Sequence, residues 1–577
     1  MCEVVVGIDF GSSGTGFAFS FNNPENINLG TFENQGVNKK VPTEIILDRN
    51  LDIKAFGEEC EQYIVLNKLN NGELYFKKIK MNLYSNKSII YPENTNLKFN
   101  IIEIIAKVLI FVKKEALREI KNRRSKISED DIKYVVTVPA IWNEKQKGIM
   151  IKASEKAGLF NKNTNRFNFF ALEPEAAALY CSQDKDIDPS YIMPGKIYTI
   201  CDLGGGTGDI VTHNKNSDGR ISEKYQAIGG NYGSDEIDRA IFKLVIYKLF
   251  GFQTFNALKE KFDKVNSDYE EDELYQDWIK LENEIKNRKK TIKEDSIENT
   301  FPLNIQIFQD FTDNKGLQQI VDKYNQNCPY GWNVSIKNES RWILNFPYRI
   351  FFDLINNHAS KISGEIAQIH QNIKNVESIL YVGGYCANQI LINSIKTKFK
   401  KIAHLTPHEP ELAVVKGSVL FGINPNIIKE RKAKYTLGTN TDLLWNESRF
   451  GLVGGEKYRD KTDGKFYCRG SFDSFIKIGQ NISIDDVIIH HCKMLGKRYC
   501  RLKFYKSLKK DPIFCDEPEV DLIGEDLLDL QKNYDEGERN VIIKMKFGGT
   551  FVEATCLHEK SGKEVKLNLY FEESKNF

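Results

Sequence analysis

The chain has 577 residues, with 81 basic and 79 acidic side chains and a formal net charge of +2. This balance gives no electrostatic reason to bind nucleic acid or a membrane surface, so the sequence predicts neither kind of partner. A chain of this length exceeds one hydrophobic core and is expected to divide into several units.

The N-terminus enters an apolar strand directly, so we expect no secretory signal. The most apolar stretch, residues 101–112, contains Glu103 and Lys107 and is typical of a buried amphipathic helix rather than a membrane span. The 11 cysteines form no C-x-x-C pair. This pattern indicates reduced thiols in a cytoplasmic protein and disfavours a zinc site.

Residues 5–16 and 200–209 repeat one pattern: an apolar strand ending in an acid, a turn of glycines and hydroxyls, and a second strand. Glycines let consecutive backbone N–H groups converge on an anion without a Cβ in the way. The acids, Asp9 and Asp202, would repel that anion unless a hydrated cation such as Mg²⁺ lay between them. Two such turns that face each other would clamp a nucleotide.

A single copy of this pattern would be interpreted as an ordinary β-hairpin. The separation between Asp9 and Asp202 is far longer than the period of a solenoid or propeller and indicates a duplicated lobe instead. A third glycine pair, Gly383 and Gly384, follows another apolar strand and precedes a helix-like stretch at residues 388–399.

Within the second lobe, Leu274, Trp278, Leu281 and Ile285 recur at helical spacing and predict a helix with one buried stripe. Acids dominate the start of this helix and bases its end, as the helix dipole favours. After Pro425 the sequence changes to short runs of alternating apolar and polar residues, which predict strands. These runs lie at residues 475–478, 483–491, 501–505, 541–547 and 565–571.

Two features of the C-terminal part have plain interpretations. Residues 518–538 are acidic and weakly patterned, which is typical of a mobile loop. Strand alternation places His490 and Cys492 on one face and His491 on the other, and we interpret this cluster as a strand with one buried thiol.

The chain resembles the superfamily of actin, sugar kinases and 70-kDa heat-shock ATPases, and the heat-shock branch matches best. Further landmarks of that branch follow in order at residues 136–143, 172–178, 229–235, 383–385 and 410–417. Residues 75–81, 301–305 and 416–422 are similar to the divergent branch typified by heat-shock 70 kDa protein 12A. The resemblance covers about residues 4–435 firmly and the remainder loosely.

The resemblance implies an α/β fold, a two-lobed actin-like ATPase domain of duplicated ribonuclease-H-like lobes, over residues 1–425. Lobe I spans about residues 1–188 plus 402–425, and lobe II about residues 189–401. Residues 426–577 would form a β-rich domain that resembles a substrate-binding β-sandwich without a helical lid.

The implied cofactors are ATP or ADP and Mg²⁺, the metal being held by Asp9 and Asp202 through water. The residues with an implied role in hydrolysis are Lys80, Glu173, Asp202 and Thr207. The residues with an implied role in nucleotide binding are Asp9, Gly11, Ser12, Ser13, Gly204, Gly205, Gly206, Thr207, Gly229, Gly230, Lys289, Lys290, Gly383, Gly384 and Tyr385. Two choices stay open: Lys78 is an alternative to Lys80, and the helix dipole alone explains Arg288, Lys289 and Lys290.

The function implied is that of an ATP-binding, slowly hydrolysing chaperone or chaperone-related regulator, with protein or peptide clients bound through residues 426–577. Nucleotide-exchange or J-domain-type partners are conceivable but have no support in the sequence. One alternative is a nucleotide-binding scaffold with little hydrolysis that serves a dedicated partner, and another is a small-molecule kinase of the same superfamily.

Three departures from the family predict weak coupling between the two domains. The connector at residues 428–434 is basic where the family linker is acidic and leucine-rich. Lys147 stands in place of an arginine, and lysine cannot make a planar bidentate contact. We also expect no helical lid after the β-rich domain.

Overall fold

The structure is a computed structural model. It describes residues 3–36, 38–67, 69–70, 72–160, 169–254, 257, 269–311, 316–338, 341–461, 464–493, 498–535, 538–546 and 552–567. Among these, it describes the backbone alone at residues 65, 67, 169, 269–276, 309–311, 493 and 553.

The strands of the first part of the chain are β1 (Val4–Phe10), β2 (Thr15–Ser20), β3 (Asn28–Leu29), β4 (Lys40–Val41), β5 (Ile45–Leu47), β6 (Ile53–Phe56), β7 (Leu74–Phe76), β8 (Ile89–Ile90), β9 (Phe99–Asn100), β10 (Ile132–Val138), β11 (Phe169–Leu172), β12 (Ile197–Leu203), β13 (Gly208–Lys215) and β14 (Ile221–Gly230). The later strands are β15 (Thr300–Asn304), β16 (Ser335–Asn338), β17 (Trp342–Pro347), β18 (Ser378–Val382), β19 (Ala403–Leu405), β20 (Ile428–Lys432), β21 (Thr436–Leu444), β22 (Lys457–Arg459), β23 (Phe466–Ile476), β24 (Asn481–Ser483), β25 (Val487–Lys493), β26 (Tyr499–Ser507), β27 (Val520–Asp529), β28 (Asn540–Lys546), β29 (Glu553–His558) and β30 (Glu564–Leu567).

The α-helices are α1 (Glu58–Asn67), α2 (Ile79–Tyr84), α3 (Ile101–Arg123), α4 (Glu144–Lys156), α5 (Glu173–Cys181), α6 (Asp235–Ile241), α7 (Tyr247–Phe250), α8 (Tyr269–Thr291), α9 (Leu317–Asn327), α10 (Tyr348–Asn372), α11 (Gln389–Lys398), α12 (Ala413–Ile423) and α13 (Glu447–Phe450). In the part of the chain that the structure describes, no helix is both long and apolar enough to cross a membrane.

Two sheets of similar construction form the framework of the site. The first has the order β11-β10-β1-β2-β3, with β4 also paired to β2, and the second has the order β19-β18-β12-β13-β14-β20-β24. In each, a parallel group meets an antiparallel hairpin: β10 and β1 are parallel and β2 turns back, while β18 and β12 are parallel and β13 turns back. The central strands are buried along their length, as expected of parallel strands covered on both faces.

Asp9 and Asp202 occupy matching places in these sheets. Asp9 lies opposite Gly16 near the end of β1, and Asp202 lies opposite Asp209 near the end of β12. Each acid therefore stands where its strand leads into the glycine turn.

Helices α5 and α12 pack closely against each other. A Cβ on Gly417 of α12 would lie 1.7 Å from the carbonyl oxygen of Ala176 in α5, so only glycine allows this approach. The surrounding hydrophobic cluster includes Val5 of the first sheet and Ile200 of the second. Because β11 ends at Leu172 and α5 begins with the next residue, this packing fixes the position of Glu173.

The predicted helix with a buried stripe is confirmed as α8. Leu281 and Ile285 are buried and Trp278 packs against the same core. The side chain of Leu274 lies outside the described residues.

The C-terminal part consists mainly of strands, as predicted. One sheet has the order β22-β23-β21-β26-β27 and another the order β25-β28-β29-β30, and they share a hydrophobic cluster that includes Phe504 and Ile543. The predicted strand runs overlap β23, β24, β25, β26, β28 and β30. Of the last run, residues 568–571 lie outside the described residues.

The prediction of a mobile loop at residues 518–538 is wrong for residues 520–529. Residues 520–529 form β27, which pairs with β26 over its whole span. The acidic residues of β27 obscure the alternation of apolar and polar residues by which a strand is recognised. Charged residues nevertheless suit a strand at the edge of a sheet, because they discourage pairing with another chain. Residues 536–537 lie outside the described residues.

The connector after α12 forms strand β20. It pairs in parallel with β14 and antiparallel with β24. The second sheet therefore continues through the connector to a strand of the C-terminal part.

Candidate functional site

A cavity of about 280 Å³ opens where the ends of β1 and β12 meet. Its lining comprises Asp9, Gly11, Ser12, Ser13, Gly14, Lys40, Lys80, Glu173, Asp202, Gly204, Gly205, Gly206, Thr207, Asp209, Lys290, Gly383, Gly384, Glu411 and Val414. The nucleotide clamp predicted from the sequence requires five residues to lie close together, and all five line this cavity: Asp9, Glu173, Asp202, Thr207 and Gly384.

The two glycine turns face each other across the cavity. A Cβ on Gly205 would lie 1.7 Å from Ser13 Oγ, and a Cβ on Gly206 would lie 2.7 Å from Ser12 Oγ. Within the second turn, the N–H of Gly204 donates to the carbonyl oxygen of Thr207 at 3.1 Å. Only residues without side chains allow the two turns to approach so closely.

Hydroxyl groups hold the first turn in place. Thr43 Oγ1 donates to the carbonyl oxygen of Gly11 at 2.8 Å and lies 2.9 Å from Thr15 Oγ1. Ser13 Oγ lies 3.3 Å from both carboxylate oxygens of Asp235, at the start of α6. These contacts tie the first turn to β2 through Thr43 and to α6 through Asp235.

Lys80 and Glu173 form an ion pair in the cavity wall. Lys80 Nζ lies 2.6 Å from Glu173 Oε1, and both residues are buried. Lys78 is exposed and adopts a left-handed conformation immediately before α2. Of the two lysines left open by the sequence, the structure therefore places Lys80 in the cavity.

The cavity holds a high density of carboxyl groups. Burial, reinforced by the neighbouring charges of Glu173, Asp209 and Asp9, holds the pKa of Asp202 well above its usual range. Burial raises the pKa of Glu173 to about 7, although Lys80 opposes this shift, and burial raises the pKa of Asp209 to about 6. Added positive charge would let these groups ionise together.

The residues fit a hydrated cation. Asp209 Oδ1 is buried and has no hydrogen-bond partner among the described residues, while Asp209 Oδ2 accepts a hydrogen bond from the N–H of Ala140 at 2.5 Å. The described residues contain no group of three His, Cys, Asp or Glu side chains placed to ligate a metal directly. An ion held through its waters suits such a donor set, since Mg²⁺ commonly keeps several of them.

Lys40 is a cavity residue that the sequence analysis missed. It lies on β4, and its Nζ donates to Asp9 Oδ2 at 2.7 Å. Burial opposes its charge, but the acids Asp9, Asp202 and Glu173 outweigh that effect and raise the pKa of Lys40. The carboxyl group of Asp209 was also missed, although its segment was recognised. The sequence did contain a signal for it. Asp202 stands near the end of the first strand of the hairpin and Asp209 near the start of the second, so the two acids could be expected to lie opposite each other.

Some residues expected to bind nucleotide do not line the cavity. Lys289 is buried, and its Nζ donates to Asp238 Oδ2 at 2.6 Å, whereas Lys290 lines the cavity. The hydroxyl of Tyr385 is buried, 3.4 Å from His358 Nδ1. Gly229 and Gly230 end β14, beside β13 rather than in the lining.

Comparisons with known proteins relate the chain to heat-shock proteins. A family model described as Hsp70 protein matches residues 70–312. The chain is 26% identical to Heat shock 70 kDa protein 12A of Homo sapiens, over 98% of this chain and 91% of that protein. It is 25% identical to Heat shock 70 kDa protein 12B of Homo sapiens, over 99% and 91%. It is 28% identical to a Chaperone protein HscA homolog of Rickettsia typhi, over 43% and 39%.

Proposed function

From the confirmed resemblance to the heat shock 70 kDa protein 12A branch of the Hsp70 family, we propose that this protein binds ATP and ADP with Mg²⁺ and hydrolyses ATP slowly. The observation that carries the proposal is the pair of glycine turns that face each other across a cavity lined by five acidic residues and Lys80. We propose that it acts as a chaperone or chaperone-related regulator.

The proposed architecture is a two-lobed actin-like ATPase domain at residues 1–425, followed by a β-rich domain at residues 426–577. Lobe I would comprise residues 1–188 and 402–425, and lobe II residues 189–401. The matching strand orders of the two sheets support duplicated lobes. The packing of α12 against β1 as well as α5 supports the return of residues 413–423 to lobe I, whereas residues 403–405 form β19 in the second sheet.

In the proposed reaction, water attacks the γ-phosphate, and the protein's task is positioning and charge stabilisation. The backbone N–H groups of the two glycine turns would hold the β- and γ-phosphates. Asp9 and Asp202 would hold Mg²⁺ through its waters, and the ion would neutralise phosphate charge. Glu173 or Asp202 would orient the attacking water and accept its proton.

Lys80 would stabilise charge on the transferring phosphoryl group while it also keeps Glu173 in place. Their 2.6 Å contact places an ammonium beside the proposed base. A pKa of about 7 for Glu173 is close to the optimum for a general base at neutral pH.

The alternative of a nucleotide-binding scaffold with little hydrolysis has one observation in its favour. Lys40 already pairs with Asp9, an acid proposed to hold the metal. In either case, residues 426–577 would bind protein or peptide clients. We propose a cytoplasmic location because the cysteines at ten described positions are all unpaired.

The test is calorimetric binding of ATP and ADP together with phosphate release, both measured on the full chain. Asp202→Asn should slow phosphate release about a hundredfold, because loss of a group that positions metal or charge commonly costs about 3 kcal/mol in the transition state. Asp218→Asn is the matched control, since Asp218 lies in the exposed turn after β13. Unchanged phosphate release in pure Asp202→Asn protein would sink the ATPase assignment.

A further inference from the structure

Lys40 places a fixed positive charge on one of the two acids proposed to hold Mg²⁺. Its Nζ lies 2.7 Å from Asp9 Oδ2 and 3.4 Å from the carbonyl oxygen of Glu411. The Asp9 side chain is 5% exposed and the Lys40 side chain 24% exposed. The pair therefore lies in the cavity wall, where attraction between charges is stronger than in bulk water.

The register of three strands builds this contact. Asp9 on β1 lies opposite Gly16 on β2, and Gly16 lies opposite Lys40 on β4. Directly opposed residues share one face of a sheet, so the three positions form a row with the glycine in the middle. A Cβ on Gly16 would lie 2.7 Å from Lys40 Cγ. The absent side chain at Gly16 lets Lys40 lie across β2 and reach Asp9.

The charge of Lys40 interacts with acids of the cavity beyond Asp9. Asp202 and Glu173, like Asp9, favour the protonated ammonium. An ammonium has three N–H donors. Asp9 and the Glu411 carbonyl receive two of them, and the third can meet an anion in a cavity that Lys40 also lines.

We propose that Lys40 acts as a built-in cation, so that the protein holds the phosphates of ATP or ADP with little dependence on Mg²⁺. This inference rests on the proposed nucleotide-binding function. Asp9 would repel a phosphate if it were ionised and alone. Paired with Lys40, the Asp9 carboxylate belongs to a unit without net charge, so it does not repel the phosphates even when no divalent ion is bound. The glycine turns and Lys80 supply the remaining donors.

The same arrangement weakens the binding of metal. The waters of Mg²⁺ would compete with the Lys40 ammonium for Asp9 Oδ2, and with the Thr137 hydroxyl, which donates to Asp9 Oδ1 at 3.4 Å. Nucleotide occupancy would then stay nearly constant as free Mg²⁺ varies. Hydrolysis would still depend on the metal, so binding and turnover would respond differently to it.

The test compares nucleotide affinity with excess Mg²⁺ and with a chelator, by calorimetry on the full chain. For the natural protein we expect the ADP dissociation constant to change less than about threefold between the two conditions. For Lys40→Met we expect the affinity with chelator to fall at least about tenfold relative to the natural protein, while the affinity with Mg²⁺ stays close to it. Lys39→Met is the matched control and should behave as the natural protein.

A second readout is Mn²⁺ binding to the ADP complex, followed by electron paramagnetic resonance. Lys40→Met and Lys40→Gln should bind Mn²⁺ more tightly than the natural protein, because the ion no longer competes with the ammonium. If the natural protein loses affinity with chelator as strongly as Lys40→Met does, the built-in cation is refuted and nucleotide binding stands. If the natural protein binds neither nucleotide in either condition, the proposed function fails as well. The comparison of nucleotide affinity with Mg²⁺ and with chelator on the natural protein needs no variant. The proposal can therefore be tested even if the Lys40 variants fail to fold.

Discussion

Arg431 of the connector and Glu175 of helix α5 form a buried, two-point ion pair. Arg431 Nε lies 2.6 Å from Glu175 Oε1, and Nη2 lies 2.7 Å from Oε2. The two residues are 8% and 3% exposed. Glu175 is two residues beyond Glu173, so the first turn of α5 carries both a cavity acid and the anchor of the connector.

This pair gives the basic composition of the connector a structural reason. In the sequence, that composition is a departure from the acidic, leucine-rich linker of the family. The structure shows a basic connector that docks as strand β20 and inserts Arg431 against a buried acid.

Arg431→Met should destabilise the full chain by about 3–5 kcal/mol, because it leaves the Glu175 carboxylate buried without a partner. Urea denaturation followed by circular dichroism measures the loss. The double variant Arg431→Met with Glu175→Gln should recover part of it, since no unpaired charge remains. Lys429→Met is the control, because the exposed Lys429 side chain contributes about 1 kcal/mol or less. Equal losses in Arg431→Met and Lys429→Met would contradict the importance of the buried pair.

The prediction of weak coupling between nucleotide and client now has a second reason. Releasing the connector would expose a charge pair that is costly to break, so β20 should stay docked with ATP, with ADP and without nucleotide. Hydrogen exchange at the amides of residues 428–432 should be equally slow in all three states. The affinity of a bound peptide should accordingly differ less than about tenfold among them. A larger nucleotide dependence, or faster exchange with one nucleotide, would contradict this prediction.

Local chemistry explains why part of the site could be predicted. Phosphate binding requires glycine and hydroxyl residues at short spacing after a buried strand, so Asp9, Gly11 and Gly204 were recognisable from neighbouring residues alone. Lys40 was not, because its contact with Asp9 depends on the register of β4 against β2. That register is set by the packing of residues distant in sequence.

The same limit applies to Lys289 and Lys290. Adjacent residues of a helix point about 100° apart, so only one of them could face the cavity. The helical pattern of α8 was predictable, but its rotation about its own axis follows from tertiary packing. Lys289 faces Asp238 and Lys290 the cavity. Tyr385 also follows a recognisable turn, yet its ring joins the core of the second sheet.

Lys80→Met should lower phosphate release about a hundredfold, since it removes a charge proposed to stabilise the transition state. The pKa of Glu173 should rise further, because burial already raises it and Lys80 is the opposing charge. Lys78→Met is the matched control: Lys78 is two residues away and exposed. A large loss with Lys78→Met, and none with Lys80→Met, would reverse their proposed roles.

Gly383→Ala should weaken ADP binding by about tenfold or more and lower the melting temperature of the protein. A Cβ there would lie 2.7 Å from Asp202 Oδ1 and 2.5 Å from the carbonyl oxygen of Leu203. Gly219→Ala is the control, because Gly219 shares a positive φ but has nothing within 4 Å of its Cβ position. Both variants should lose about 1–3 kcal/mol of stability from backbone strain. Only Gly383→Ala should also move Asp202, and equal ADP affinity in both variants would argue against that.

The stability of the C-terminal part should fall at alkaline pH through His490. Its Nε2 lies 2.8 Å from Asp473 Oδ2, and this hydrogen bond, helped by Cys492, raises the pKa of His490 to about 10 from its ordinary value of 6.5. Because the folded-state pKa is the higher one, the stabilisation is complete below pH 6.5 and is lost as pH rises through about 10.

The pair is partly exposed, so its contribution is about 1 kcal/mol or less. Thermal unfolding of the full chain at about pH 7 and about pH 10 should show a smaller alkaline loss in His490→Gln than in the natural protein. His491→Gln, at the exposed neighbouring position, should keep the natural pH dependence. Identical pH profiles for His490→Gln and the natural protein would rule out this role of His490.

The continuation of the second sheet through β20 affects how the protein can be shortened. A version ending at residue 425 would lack β20 and leave the edge of β14 open along the part that pairs with Ile428 and Glu430. An open edge carries unpaired N–H and C=O groups that attract strands of other molecules, so such a version should self-associate. A version extended to residue 435 keeps β20 and the Arg431 partner of Glu175, but it lacks β24 and leaves the opposite edge of β20 open in its place. The shortest version that opens no new edge in the second sheet should therefore extend through β24, which ends at Ser483.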